Sequence, residues 1–191
     1  MKNNLFIAFM CLFVSCLQAS SYAQDTIVII RHGEKPAEGD NLCPKGQSRA
    51  LALPPVLSSK FSIPLYTYVP TIGTGSAKTT HIRMMETVAP FAIQYNLQVG
   101  SEYGESDISG ITGKIKEKLG HKQKHGIILL VWEHKNIPLI ATALGVKGNL
   151  SWPKCDFDSI WIITKAFTSS ATLTVTKEGL NGVSGTCDPC N

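Results

Sequence analysis

The sequence predicts an α/β fold built on parallel strands, and three observations carry that expectation. Two runs, Thr26-Ile27-Val28-Ile29-Ile30 and Gly126-Ile127-Ile128-Leu129-Leu130-Val131-Trp132, are continuously apolar, as in strands buried on both faces. Segments of helical period lie between them. Each run also stops abruptly in polar residues, Arg31-His32-Gly33-Glu34 after the first and Glu133-His134-Lys135-Asn136 after the second. In open α/β sheets ligands bind beyond the carboxyl ends of the strands, so these endings are candidate walls of one site.

Length and composition bound the rest. A chain of 191 residues, 43% hydrophobic and 17% charged, suits one globular domain with a sizeable core. Lys2, the apolar stretch 5–17 and Ser21-Tyr22-Ala23 read as a signal peptide over 1–23, cut before Gln24, which leaves 24–191 as the domain. The apolar stretch falls short of the ~20 residues of a spanning helix, which weighs against an uncleaved anchor and predicts no stable membrane insertion after cleavage. The expected location is periplasmic or secreted. Beyond the leader stand Cys43, Cys155, Cys187 and Cys190, and an even number in an exported chain predicts disulfides, with three connectivities open. Cys187-Asp188-Pro189-Cys190 has the spacing of a redox or zinc motif, but no second close Cys or His pair accompanies it. Seventeen basic against fourteen acidic residues remain once Lys2 is gone, too mild an excess to imply nucleic-acid binding.

In chain order, the first strand gives way at Gly33 and Pro36 to a polar loop, 37–43. Residues 44–57 predict a helix interrupted near Pro54, with Leu51 and Leu53 near its apolar side and Arg49 on an early turn. A short second strand is expected over 63–69, then a Gly/Ser/Thr loop over 70–80. Ile82, Met85, Val88, Ala89 and Ala92 mark a helix over 80–95, with the methionines as core filling. A polar, Gly-rich stretch over 100–113 leads into a basic helix over 111–119, and Lys114 to Lys124 reads as a solvated face. A short helix over 138–144 follows the second buried strand. Residues 159–164 and 171–176 predict an antiparallel pair at a sheet edge.

Parallel neighbours would bring His32 and His134 to one edge, with Arg31 and Arg83 converging there. That set suits phosphoryl transfer: guanidinium forks match phosphate oxygens, and a neutral imidazole can attack phosphorus. Arg83 could instead pair with Glu86 or Glu102 on its helix face, and His134 could be a structural histidine.

Arg31-His32-Gly33-Glu34, then Cys43-Pro44-Lys45-Gly46-Gln47, then Arg83-x-x-Glu86-Thr87, then Glu133-His134 occur in an order that resembles the histidine phosphatase superfamily, also called phosphoglycerate mutase-like. The resemblance spreads over 26–145. It implies a three-layer α/β/α sandwich with a mostly parallel central sheet, and His32 as phospho-accepting nucleophile. It further implies Arg31, Arg83 and His134 as phosphoryl ligands, no metal and no cofactor. Glu34 and Glu86 are expected to hold loop and helix in place, while Ser76 and Thr79 match the family's usual Ser/Thr only loosely.

The general acid is the thin point. Mutase-like members draw it from the segment between the second arginine and the second histidine, which offers Glu102, Glu105 and Asp107. Glu102 is the choice, and a compact member without a dedicated acid is the alternative. Lys135 stands where another branch has an acid. Glu133 is expected to face away, because an alternating strand would point it to the opposite face from His134. The function so predicted is an exported, metal-independent phosphatase acting through a phosphohistidine on a phosphorylated small molecule, glycan or protein. Alternatives are a phosphate- or phosphoglycan-binding module on the same fold and, more remotely, a thiol redox protein using Cys187 and Cys190.

Overall fold

The computed structural model describes residues 24–73, 79–120 and 125–180. The leader over 1–23, Ser76, Cys187 and Cys190 lie outside the described residues, and with them the cleavage site and the CxxC motif. Cys43 and Cys155 are both disulfide-bonded cysteines.

Six strands form one sheet in the order β3-β2-β4-β1-β5-β6. They are β1 (Thr26–Arg31), β2 (Tyr66–Tyr68), β3 (Val99–Gly100), β4 (Ile127–Trp132), β5 (Ser159–Thr164) and β6 (Thr172–Lys177). The first four are parallel, with Thr26 opposite Ile127 and Arg31 opposite Trp132 in the central pair. The last two form an antiparallel extension, β5 against β1 and β6 outermost, as the tail's alternation predicts. Every residue of β1 and β4 is buried, which is why both read as continuous apolar runs rather than alternating ones.

Four helices complete three layers: α1 (Pro44–Lys60), α2 (Ile82–Tyr95), α3 (Ile108–Gly120) and α4 (Ile137–Ala143). Val28, Ile30, Leu129 and Val131 face α1 and α2 through Leu53, Leu57, Met84, Val88 and Phe91. The alternate residues Ile27, Ile29, Ile128 and Leu130 face α3 and α4 through Ile111, Ile115, Ile137 and Ile140.

Three local expectations need correction. The first helix does not stop at Pro54; it continues through Pro54 and Pro55 to Lys60. An interior proline costs ~3 kcal/mol locally, but the stripe Gly46, Arg49, Ala50, Leu53, Pro54 and Leu57 is continuously buried, and that packing outweighs the loss. Leu51 is 64% exposed, since two residues along a helix lie roughly 200° apart and Leu53 holds the core side. In α2 the fully buried stripe is Met84, Thr87, Val88, Phe91 and Ala92, one residue round from the expected one, and Met85 packs half-buried against the same core.

The topology fixes where a site can be. From β1 the chain leaves to α1 on one face, and from the adjacent β4 it leaves to α4 on the other. The carboxyl ends of β1 and β4 therefore flank a switch point, where connections diverge and open a crevice.

Candidate active site

Arg31 is the last residue of β1, and His32 carries the ladder one step further by donating its backbone N–H to the Trp132 carbonyl at 3.2 Å. Both side chains are buried, at 5% and 3% exposure. The turn beyond them is pressed against the start of α1. A Cβ on Gly33 would lie 2.9 Å from the Leu42 side chain, and one on Gly46 would collide with the Glu34 backbone, so glycine at both places permits the contact. Helix α2 is tied to the same turn. Thr87 Oγ1 accepts from the Gly33 N–H at 2.7 Å and donates to the Arg83 carbonyl, while the Leu42 N–H donates to Glu86 Oε2 at 2.8 Å. Glu86 thus holds the loop, and Thr87 sets Arg83, one turn earlier on α2, beside the His32 turn.

The imidazole of His32 is held in one tautomer. Nδ1 lies 2.6 Å from the Gly33 carbonyl oxygen, which can only accept, so Nδ1 carries the proton and Nε2 the lone pair. Burial, then the charges of Arg31 and Arg83, lower its pKa from 6.5 to about 3, against the Gly33 hydrogen bond and Glu133. At neutral pH His32 is an uncharged nucleophile. Burial also lowers the Arg31 pKa to about 10, which leaves the guanidinium charged.

The two arginines are only partly satisfied by the protein. Arg31 Nη1 donates to the carbonyls of Lys154 and Asp156, and Arg83 Nη1 to that of Asp40 at 2.9 Å, but Nε of each is buried without an acceptor. Neither makes an ion pair among the described residues, so the pairing of Arg83 with Glu86 or Glu102 does not occur. Buried, charged donors of this kind are costly unless something accepts from them. A tetrahedral oxyanion offers acceptors of the right charge.

At the end of β4 the expectation about Glu133 is overturned. The strand closes at Trp132 and Glu133 opens a turn, accepting from the N–H groups of Asn136 and Ile137 at its carbonyl, so strand alternation no longer governs it. Its carboxylate lies 2.5 Å from His134 Nδ1, close but outside hydrogen-bond alignment, and accepts from the Lys135 N–H at 2.6 Å. Burial pushes the Glu133 pKa up, but His134 and the Lys135 N–H more than offset this and hold it below the usual carboxylate value. Its charge acts on both Arg31 and His32. The signal in the sequence was the turn-forming Lys135-Asn136-Ile137-Pro138, which ends the strand before Glu133.

The three carboxylates favoured for the general acid are engaged elsewhere. Glu102 folds back on Gly100 beside Tyr68, whose phenol is pushed up to about 12 by burial and then by Glu102. It makes no hydrogen bond or ion pair with Arg31, His32, Arg83 or His134. Glu105 pairs with His81 at 3.2 Å, and Asp107 accepts from Gly110 N–H and Ser109 Oγ at the start of α3. Thr79, loosely matched to the family, donates to Asp40.

A further residue, absent from any sequence expectation, completes the wall. The ring of Phe157 lies 3.7 Å from the Arg31 guanidinium carbon and meets the His32 ring edge-on at 6.1 Å between centroids.

No protein-family model matches the sequence, and no curated protein matches it. Solved structures do match. A mycobacterial glucosyl-3-phosphoglycerate phosphatase in complex with inorganic phosphate superposes with a TM-score of 0.55 at 13% identity, covering 80% of this chain and 95% of that one. The protein histidine phosphatase SixA complexed with tungstate gives 0.54 at 11% identity, over 80% and 97%. The chain therefore shares its α/β fold with these phosphatases.

Proposed function

We propose that the chain is an exported histidine phosphatase that hydrolyses phosphate monoesters through a phosphohistidine at His32, without a metal. The observation that carries the reading is the meeting, on one sheet edge, of a neutral buried imidazole with two guanidinium groups, Arg31 buried and Arg83 half-buried, whose buried Nε donors have no acceptor among the described residues. The fold is shared with phosphatases determined with inorganic phosphate or tungstate, both tetrahedral oxyanions. The apolar leader over 1–23 supports export.

In the reaction, Arg31 and Arg83 donate hydrogen bonds to the phosphoryl oxygens and neutralise their charge, which is where most of the catalysis would come from. The His32 Nε2 lone pair forms the P–N bond as the ester P–O bond breaks, while Nδ1 keeps its proton on the Gly33 carbonyl. The leaving oxygen takes a proton from the Glu133–His134 pair, which assumes the role expected of Glu102. Water then attacks phosphorus as the P–N bond breaks, returning a proton to the Glu133–His134 pair, releasing inorganic phosphate and restoring the imidazole. A phosphorylated small molecule, glycan or protein would present the same dianion to this set.

The test is hydrolysis of an aryl phosphate by the protein and by His32→Ala, together with an alkaline denaturing quench during turnover, after which the trapped protein is exposed to acid. The expected outcome is loss of at least ~10³-fold in kcat with His32→Ala, and acid-labile phosphate on the wild-type protein alone. Undiminished hydrolysis by His32→Ala would remove the assignment. Tight phosphate binding with no turnover of any ester would leave a binding module instead.

A further inference from the structure

A segment far along the chain fixes the orientation of Arg31. Lys154 and Asp156 turn their carbonyl oxygens onto Nη1, at 2.5 and 3.2 Å, across more than 120 residues of sequence. Phe157 covers one face of the guanidinium and abuts the edge of His32. The segment is itself braced: the Asp156 carboxylate accepts from the N–H groups of Asp158 and Ser159, both at 2.9 Å, and from Ser159 Oγ at 2.5 Å, and Trp152 Nε1 donates to the Asp156 carbonyl at 2.8 Å.

We propose that the segment 154–157 is a clamp on Arg31, with Phe157 the residue that positions the guanidinium for the oxyanion. The inference rests on the phosphatase reading above and adds to it the device that sets its first arginine. Nη1 is the terminal nitrogen on the Cδ side, so engaging it leaves the opposite, side-on edge of Nε and Nη2, the edge that grips two oxygens at once. A ring against the guanidinium face removes the remaining freedom, rotation out of that plane, while adding cation–π attraction. An arginine otherwise loses a large rotamer entropy on binding, and a preformed orientation spares the ligand that cost. The edge-on contact with His32 links the two groups, so one ring sets the spacing between the binding edge and the nucleophile.

The experiment measures binding of inorganic phosphate by titration calorimetry, and kcat and KM for 4-nitrophenyl phosphate, in the wild type, Phe157→Leu and Phe157→Tyr. Leucine keeps apolar bulk without a ring face, and tyrosine restores the face. Expected is about five- to tenfold weaker phosphate binding in Phe157→Leu, a matching fall in kcat/KM, a melting temperature within a few degrees, and recovery in Phe157→Tyr. Phe157→Met replaces the leucine variant in the same comparison if that one fails to fold. Unchanged phosphate affinity in a folded ring-less variant overturns the clamp, as does a loss that tyrosine does not restore. A wild type that neither binds phosphate nor hydrolyses the ester would instead overturn the phosphatase reading itself.

Discussion

Arg31 and Arg49 are both buried, stand on neighbouring elements, and are treated in opposite ways. Arg49, on α1, is gripped by Glu178: Nε donates to Oε2 at 2.6 Å, Nη2 donates to Oε1, and Nη2 also reaches the Arg31 carbonyl at 3.2 Å. Only its Nη1 lacks an acceptor. Among the described residues Arg31 has no carboxylate within ion-pair distance; it is held by two backbone carbonyls and a ring, with Glu133, Asp156 and Glu34 acting on it only through their fields. A bidentate carboxylate satisfies the charge of Arg49 within the fold, whereas most of the charge of Arg31 remains for an anion. Arg49 is a fastening and Arg31 a binding group, although neither residue type nor burial tells them apart.

The largest effects should separate the two. Arg49→Met strands Glu178, already pushed up by burial against the pull of Arg49, in an apolar setting, and breaking a buried pair from one side costs ~3–5 kcal/mol. For a domain of this size the melting temperature should fall by about 10 °C. Glu178→Leu added to Arg49→Met should recover much of that loss, because no charge is then left unpaired. Arg31→Met should leave the melting temperature nearly unchanged and lower kcat/KM for a phosphate ester ~10²–10³-fold. If the two variants exchanged these behaviours, the distinction between fastening and binding group would be lost.

The same contrast explains what could be read from the sequence. β1 and β4 were legible because burial on both faces writes itself as an uninterrupted apolar run, and their polar endings fell where a parallel sheet opens. Local rules failed where packing outvoted them, as at Pro54 in α1, or where one period was carried past its element, as at Glu133 beyond the end of β4. Partnerships across 129 residues, Arg49 with Glu178, or 125, Arg31 with Asp156, leave no local pattern at all. Nothing in the spacing around Phe157 or Glu178 announces what they touch, so the clamp and the fastening emerged only with the fold.

His32 provides an intermediate effect. Its pKa is about 3 in the fold and near 6.5 when unfolded, so as pH drops the unfolded chain takes up the proton first. The stability tied to its neutrality is fully present above pH 6.5 and is lost as pH falls toward 3, with a slope of up to ~1.4 kcal/mol per pH unit. Subtracting the stability profile of His32→Ala from that of the wild type isolates this contribution from the carboxylates. Arg31→Met should shrink it, since Arg31 is the second cause of the depression after burial. Coincident profiles for wild type and His32→Ala between pH 6.5 and 3 would mean that the imidazole is not held neutral by the fold.

Lys45 marks the weak end of the comparison. It sits in the first turn of α1 with its side chain 47% exposed, 3.7 Å from Oε1 of buried Glu34, on the loop that carries His32. A half-solvated lysine at that distance gains little from its partner and is screened by salt, so neither extreme treatment applies. Lys45→Gln should change stability by no more than ~0.5 kcal/mol and weaken phosphate binding about twofold at low ionic strength, a difference that vanishes near 0.5 M salt. Titration of phosphate into both proteins at the two salt concentrations decides it. A loss as large as that of Arg31→Met, or one that persists in salt, would show that the edge attracts anions by its overall positive field and not by the open fork of one clamped arginine.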